Sequence, residues 1–217
     1  MSVTTRFDDV YRAEVDDTPV QYLRALASQE SGNNPDARSG SHVGLLQIGR
    51  VLLGDFNAAN GTTLTLDDMR DPRLNVRVWA WSKRLYDRVF ARDGGAAMPV
   101  PFTRDYAGIL TAAHNSGIGA VSRALKVLVA RGIAPTHAAL FEAGRALPSA
   151  TDRNLFRPAK ERWQRGVVEL FLSQRDPTSP APAPRESDLP PRESPADAGA
   201  GGGLALLVVL LLLSHRR

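Results

Sequence analysis

Glu30 is the residue whose placement most needs a chemical explanation. Leu23, Leu26, Ala27 and Glu30 lie three or four positions apart, so on a helix they share one apolar face. Gly32 and Pro35 follow at once and end such a helix, which leaves the carboxylate in its last turn. The helix dipole is negative there, and an apolar face disfavours charge. Both effects act to keep the proton on the acid, the state in which a glutamic acid can donate to a leaving oxygen. A glutamate pointing outward from the helix end satisfies the same spacing, and periodicity alone does not separate the two.

Little else in the sequence competes for a chemical role. There is no cysteine, hence no disulfide framework, thiolate metal site or cysteine nucleophile. His42, His114, His137 and His215 are scattered without metal-ligand spacing, so no metal and no cofactor is expected. Asp36 and Asp55 read as loop or cap residues and Asp71 as a helix N-cap. No second catalytic carboxylate stands out.

The elements that must position Glu30 are helical. Residues 18–175 form one domain, in which Thr18-Pro19-Val20-Gln21 reads as a helix start, with Thr18 as cap and proline at the first position. Asp71-Pro72 repeats the signal ahead of Leu74, Val78, Trp81, Leu85 and Val89. Further helices are marked by Tyr106, Ile109, Leu110 and Ala113, by Val121, Leu125, Leu128 and Val129 up to Gly132, and by Trp163, Val167, Leu170 and Phe171. Without sustained period-2 alternation the fold class is mainly α, a single helical domain. Residues 1–17 read as a polar lead-in with no signal-peptide pattern.

Beyond the domain the composition changes. Residues 176–197 hold seven prolines and no apolar periodicity, and read as a disordered Pro-rich linker. Residues 198–217 form a hydrophobic tail whose uninterrupted apolar run, Leu204 to Leu213, is ten residues, short of the roughly 20 a spanning helix needs. The tail is read as a C-terminal hydrophobic helix acting as a membrane anchor, or as a sorting signal of the Gly-Gly type; docking on a partner is the alternative. Arg216 and Arg217 favour the cytoplasmic side, placing the domain outside if the segment spans. A cell-envelope location, membrane-associated on the wall side, is the expectation, with the export route left open. The net charge of +4, from Lys+Arg 27 against Asp+Glu 23, suits an anionic polymer such as nucleic acid or cell wall, or simply a solvated arginine-rich surface. No basic stripe interleaved with aromatics and no nucleic-acid motif is found, so nucleic acid is not an expected partner.

Four segments in order resemble the lytic transglycosylases of the Slt, goose-type lysozyme-like superfamily. They are Glu30-Ser31, Asn34-Pro35-Asp36-Ala37-Arg38-Ser39, Gly44-Leu45-Leu46-Gln47-Ile48 and Ala113-His114-Asn115-Ser116-Gly117. The segment Asp71-Pro72-Arg73-Leu74-Asn75-Val76 is similar to the family's helix start between the second and third motifs. The resemblance spans about Val20 to Leu172 and implies a lysozyme-like fold and cleavage of peptidoglycan between N-acetylmuramic acid and N-acetylglucosamine. One glutamic acid protonates the leaving oxygen, then removes the proton from the sugar's own 6-hydroxyl, giving a 1,6-anhydro end. That intramolecular nucleophile removes the need for the second carboxylate most glycosidases use.

By this resemblance Glu30 is the acid and then the base. Ser31 orients the carboxylate or a substrate group, Gln47 and Asn115 donate hydrogen bonds to acetamido sugars, and Gly44 lets backbone approach the glycan. His114 stands where the family has tyrosine, keeping a flat ring but changing its hydrogen bonding. Leu46 replaces methionine, and Gly49 stands where threonine or methionine is common. The late tyrosine that supports the family's glutamate is not evident, and Phe156 in that region lacks a hydroxyl. Two alternatives stay open: a hydrolytic muramidase on the same fold, and a non-catalytic wall-binding protein of a secretion or virion machine. The partners implied are peptidoglycan strands, a membrane at residues 198–217 and envelope-spanning machinery.

Overall fold

The computed structural model describes residues 6–15 and 17–174. Along them run nine helices: α1 (Asp8–Glu14), α2 (Val20–Ser31), α3 (Arg50–Asn60), α4 (Pro72–Gly94), α5 (Arg104–Ser116), α6 (Ile118–Ala130), α7 (His137–Arg145), α8 (Ala150–Leu155) and α9 (Pro158–Ser173). Three two-residue strands, β1 (Arg38–Ser39), β2 (His42–Val43) and β3 (Ile48–Gly49), form a small antiparallel sheet of that order between α2 and α3. The class is mainly α, as expected from the periodicity. Among the described residues no helix is long and apolar enough to cross a membrane. The linker at 176–197 and the tail at 198–217 lie outside the described residues.

Start signals in the sequence act as physical chemistry predicts, with one exception. The Asp71 side chain accepts the N–H groups of Arg73 and Leu74 at 2.7 and 3.1 Å, with Pro72 at the first position of α4. Thr103, Thr136 and Ser149 cap α5, α7 and α8 in the same way. At α2 the cap position is Pro19, and no side chain caps it. The Thr18 hydroxyl instead donates to Asp17, and the Pro19 carbonyl accepts the N–H of Tyr22. The helix therefore begins one residue later than the Thr18 signal suggests.

Two further differences have a common cause. The stretch read as a polar lead-in contains α1, which adds Phe7, Tyr11 and Val15 to the core. Its Asp8 is fully buried and takes both Nε and Nη2 of Arg24. On α4 the expected stripe is only partly inside: Val78 is fully buried, whereas Leu74 and Trp81 are partly buried. The face turned inward carries Asn75, Trp79, Ser82, Lys83, Tyr86 and Phe90. In each case a charged residue sits inside because a partner satisfies it, Asp8 with Arg24 and Lys83 with Asp17 and Asp87, so hydropathy alone points away from it.

Tyr22 is the centre of the core and couples the helices that carry the motifs. Its ring lies 6.1 Å from that of Trp79 and 5.7 Å from those of Phe102 and Phe171, measured between centroids. Its hydroxyl lies 2.9 Å from Thr111 Oγ1 on α5. The single proton of Thr111 is directed to the Ala107 carbonyl at 2.7 Å, so Tyr22 is the donor. α9 packs against both α2 and α5. The last turns of α2 and α5 are brought together by this three-helix arrangement.

The small sheet is fastened by one buried carboxamide. Asn75 Nδ2 donates to the Val43 carbonyl at 3.0 Å and to the Met69 carbonyl at 2.9 Å, and its Oδ1 accepts from Leu46 N–H at 2.9 Å. Gly44 (φ 89) passes so close that a Cβ there would lie 2.1 Å from Asn75 Nδ2 and 2.1 Å from the Met69 carbonyl oxygen. Only glycine fits that backbone at that approach. Asn75→Ala removes these three hydrogen bonds to buried backbone groups, each costing roughly 1 kcal/mol or more to lose. It is expected to lower unfolding free energy by about 3 kcal/mol or more, measured by urea denaturation.

Candidate active site

α2 ends as Gly32 requires. Gly32 (φ 63) and Asn33 (φ 62) both adopt left-handed backbone, and their N–H groups bond the Ser28 and Ala27 carbonyls at 3.1 and 3.2 Å. This termination places Glu30 in the final turn, its side chain 15% exposed. The neighbouring Ser31 hydroxyl donates back to the Ala27 carbonyl at 3.0 Å. Ser31 thus spends its proton on the helix end.

His114, from the last turn of α5, meets Glu30 directly. Its Nε2 lies 3.1 Å from Glu30 Oε1, and the histidine side chain is 6% exposed. His114 Nδ1 is buried and has no hydrogen-bond partner. A proton on Nδ1 would be stranded, so the favoured tautomer carries it on Nε2 and donates to Oε1. Oε2 of the same carboxyl group is then the oxygen left to carry a transferable proton.

The other sequence candidates divide into two groups. Asn115 follows His114 in the same turn, and its Oδ1 is a buried acceptor without a partner. Gln47 and Gly44 make their contacts inside the sheet segment, and neither is hydrogen-bonded to Glu30. Gln47 Nε2 donates to the Ala37 and Gly44 carbonyls at 3.1 and 2.8 Å, while its Oε1 is buried and unpartnered. The donor capacity expected to face a sugar is therefore committed to backbone, and what remains is an acceptor. Gln47 is also held at φ 46, a conformation that costs a non-glycine residue of order 1 kcal/mol and concentrates at functional sites. Phe156 is fully buried, packed against the Phe141 ring and over Gly144 on α7. Glu30 takes its hydrogen bond from His114, which stands where the resembled family has tyrosine.

Two residues at this site escaped the sequence reading. Lys160, in the first turn of α9, donates to the Asn115 carbonyl at 2.9 Å. Burial lowers its pKa, the nearby Arg157 charge lowers it further, and the Glu30 carboxylate opposes both. Tyr22 lies deeper. Burial raises its pKa, the bond to Thr111 opposes that, and the Glu30 charge adds to the rise. Neither had a periodic signal, since each acts across helices far apart in sequence. Among the described residues no group of three or more His, Asp or Glu side chains is placed to hold a metal ion.

Residues 11–132 match the family model described as Transglycosylase SLT domain. That stretch is more than half of the chain, and the chain belongs to this family, within the lysozyme-like superfamily. The match runs from inside α1 to the glycine after α6, and so contains Glu30, the small sheet, His114 and Asn115. No curated protein matches the chain at a significant level.

The end of α5 is also held from behind by a titratable group. His137 Nε2 lies 3.2 Å from Gln164 Oε1, Gln164 Nε2 lies 3.5 Å from Ser116 Oγ, and Ser116 donates to the Leu155 carbonyl at 2.8 Å. Burial lowers the His137 pKa, opposed by its bond to Gln164. Because the folded value lies below the unfolded one of roughly 6.5, the unfolded chain takes up the proton first. Its contribution to stability is complete above that value and is lost as pH falls from there toward the folded pKa. Denaturation midpoints measured between pH 7.5 and 5 are expected to fall, and His137→Gln is expected to flatten part of that slope.

Proposed function

We propose that this protein is a peptidoglycan lytic transglycosylase in which Glu30 is first the acid and then the base. The observation that carries the reading is the Glu30–His114 contact at 3.1 Å, inside the stretch that matches the family. His114 Nε2–H fixes Oε1, and Oε2 delivers the proton to the glycosidic oxygen. The carboxylate so formed then takes the proton of the muramic acid 6-hydroxyl as that oxygen closes on C1. The bond from C1 to the leaving oxygen breaks, the bond from C1 to O6 forms, and no water is consumed. Glu30 ends protonated as it began.

The unpartnered acceptors support a sugar ligand of this class. Gln47 Oε1, Asn115 Oδ1 and His114 Nδ1 are three of the buried side-chain atoms without a partner, and each can be satisfied by an N–H or O–H donor. Acetamido N–H groups and ring hydroxyls are such donors. Gln47 and Asn115 would then accept hydrogen bonds from the glycan through these oxygens, with Ser31 and Gly44 shaping the backbone around Glu30. The substrate places the domain on the wall side of the envelope, with residues 198–217 as its membrane attachment.

Purified cell walls are the test substrate. Mass spectrometry of the products is expected to find 1,6-anhydro ends, and Glu30→Gln to reduce their release by roughly 10²–10⁴-fold or more. Reducing ends carrying added water would make the protein a hydrolytic muramidase. Equal clearance by wild type and Glu30→Gln would overturn the role of Glu30, and no clearance by either would leave a wall-binding protein. In a separate measurement, the full chain is expected in the membrane fraction and the chain lacking residues 198–217 in the soluble one.

A further inference from the structure

Among the described residues only three basic side chains are not exposed: Arg24, Lys83 and Lys160. A cation withdrawn from water is costly unless an opposite charge compensates it. Arg24 is matched by Asp8, and Lys83 by Asp17 and Asp87. Lys160 has no carboxylate of its own. Its Nζ donates to the Asn115 carbonyl at 2.9 Å, which uses one of its three protons and leaves the charge unmatched. Glu161, next in sequence, is held by Arg145 and Arg165, and Glu30 by His114. The position is unfavourable for a cation in two further ways. Lys160 lies in the first turn of α9, where the helix dipole is positive. Arg157, at the cap position, accepts the Lys160 N–H on its carbonyl at 3.0 Å. The Arg157 side chain is exposed and forms no ion pair among the described residues. Two adjacent cations kept at such a place suit an anion that arrives with a ligand.

The location of Lys160 indicates what carries that anion. Asn115, whose carbonyl holds the ammonium, follows His114, whose Nε2 meets Glu30. The Asn115 side-chain oxygen is itself a buried acceptor without a partner. In the proposed reaction the bond broken is at C1 of muramic acid, and C3 of the same ring carries a lactyl ether ending in a carboxyl group. A glycan seated with C1 beside Glu30 brings that carboxyl, or the peptide that extends it, into the same neighbourhood. N-acetylglucosamine has no lactyl group, so a cation here tells the two sugars apart. We infer that Lys160, assisted by Arg157, is a specificity-determining residue that binds the carboxylate carried by muramic acid. The inference deepens the proposed function and rests on it for the identity of the ligand. The bond to Asn115 fixes the ammonium, and its two remaining N–H groups are left for the carboxylate.

The test is binding, measured by isothermal titration calorimetry on the full chain carrying Glu30→Gln so that the ligand stays intact. Three tetrasaccharides of alternating N-acetylglucosamine and N-acetylmuramic acid are compared. Their lactyl groups are free, amide-linked to a dipeptide ending in a carboxylate, or capped as the neutral carboxamide. At least one anionic form is expected to bind about tenfold or more tighter than the carboxamide, and the tighter of the two identifies the source of the carboxylate. Adding Lys160→Met or Lys160→Gln is expected to abolish that preference while leaving carboxamide binding nearly unchanged. Lys160→Arg is expected to keep most of it, and Arg157→Gln, at an exposed position, to reduce it a few-fold. Equal binding of anionic and neutral forms overturns the inference, as does binding of none of the three. An equal loss for all three ligands in whichever neutral Lys160 variant folds also overturns it, since that marks a mere brace for the end of α5. If neither folds, a preference unchanged in Arg157→Gln overturns it. Anhydro ends released from cell walls by a wild type without the preference leave the proposed function standing. A carboxylate preference in a protein that releases no anhydro ends upholds the binding site and overturns the proposed function instead.

Discussion

Stopping α2 at Gly32 rather than a turn later is the constraint on which the candidate site depends. Two consecutive left-handed residues, Gly32 and Asn33, turn the chain away from the helix axis. They leave Glu30 in the final turn, against α5 on one side and partly open on the other. Had the helix continued, the chain could not enter the small sheet, and Asn75 on α4 would have no loop to hold. Asn75 then converts a flexible stretch of eleven residues, 37–47, into a fixed wall through three hydrogen bonds. Gln47 adds two more from within the same stretch. The wall is rigid because its buried polar groups are nearly all satisfied, the Gln47 oxygen being an exception.

The electrostatics follow from the same placement. A carboxyl group used once as an acid can tolerate any environment that keeps its proton, but one used twice cannot. His114 arrives from α5 with its Nε2 3.1 Å from Glu30 Oε1. The packing of α9 across both α2 and α5 gives this contact its origin in the core, where Tyr22 joins α2 to α5 through Thr111. Core and site are coupled: a change that slides α5 along α2 moves His114 relative to Glu30.

What could be read in the sequence was whatever depends on neighbours close along the chain. The spacing of Leu23, Leu26, Ala27 and Glu30, the stop at Gly32, the Asp71 cap and the mainly helical class are all local properties. Residues whose partners lie far away were opaque. Lys160 reaches Asn115 across 45 positions and Asn75 reaches Val43 across 32, and no periodicity encodes such pairs. The strands are two residues long, too short for alternation to register. α1 was hidden by its charges, because Asp8 is buried only by virtue of Arg24 sixteen residues on.

The missing tyrosine hydroxyl shows how the two kinds of information combine. From sequence, Phe156 at the expected region left the support of Glu30 open, and His114 was only a departure from a motif. In the structure Phe156 packs against Phe141 on α7, and the departure is the support. A tyrosine donates a single neutral hydrogen bond, whereas an imidazole can also carry charge and exchange its proton with the carboxyl group it touches. Histidine at this position puts an imidazole nitrogen 3.1 Å from the Glu30 carboxyl group.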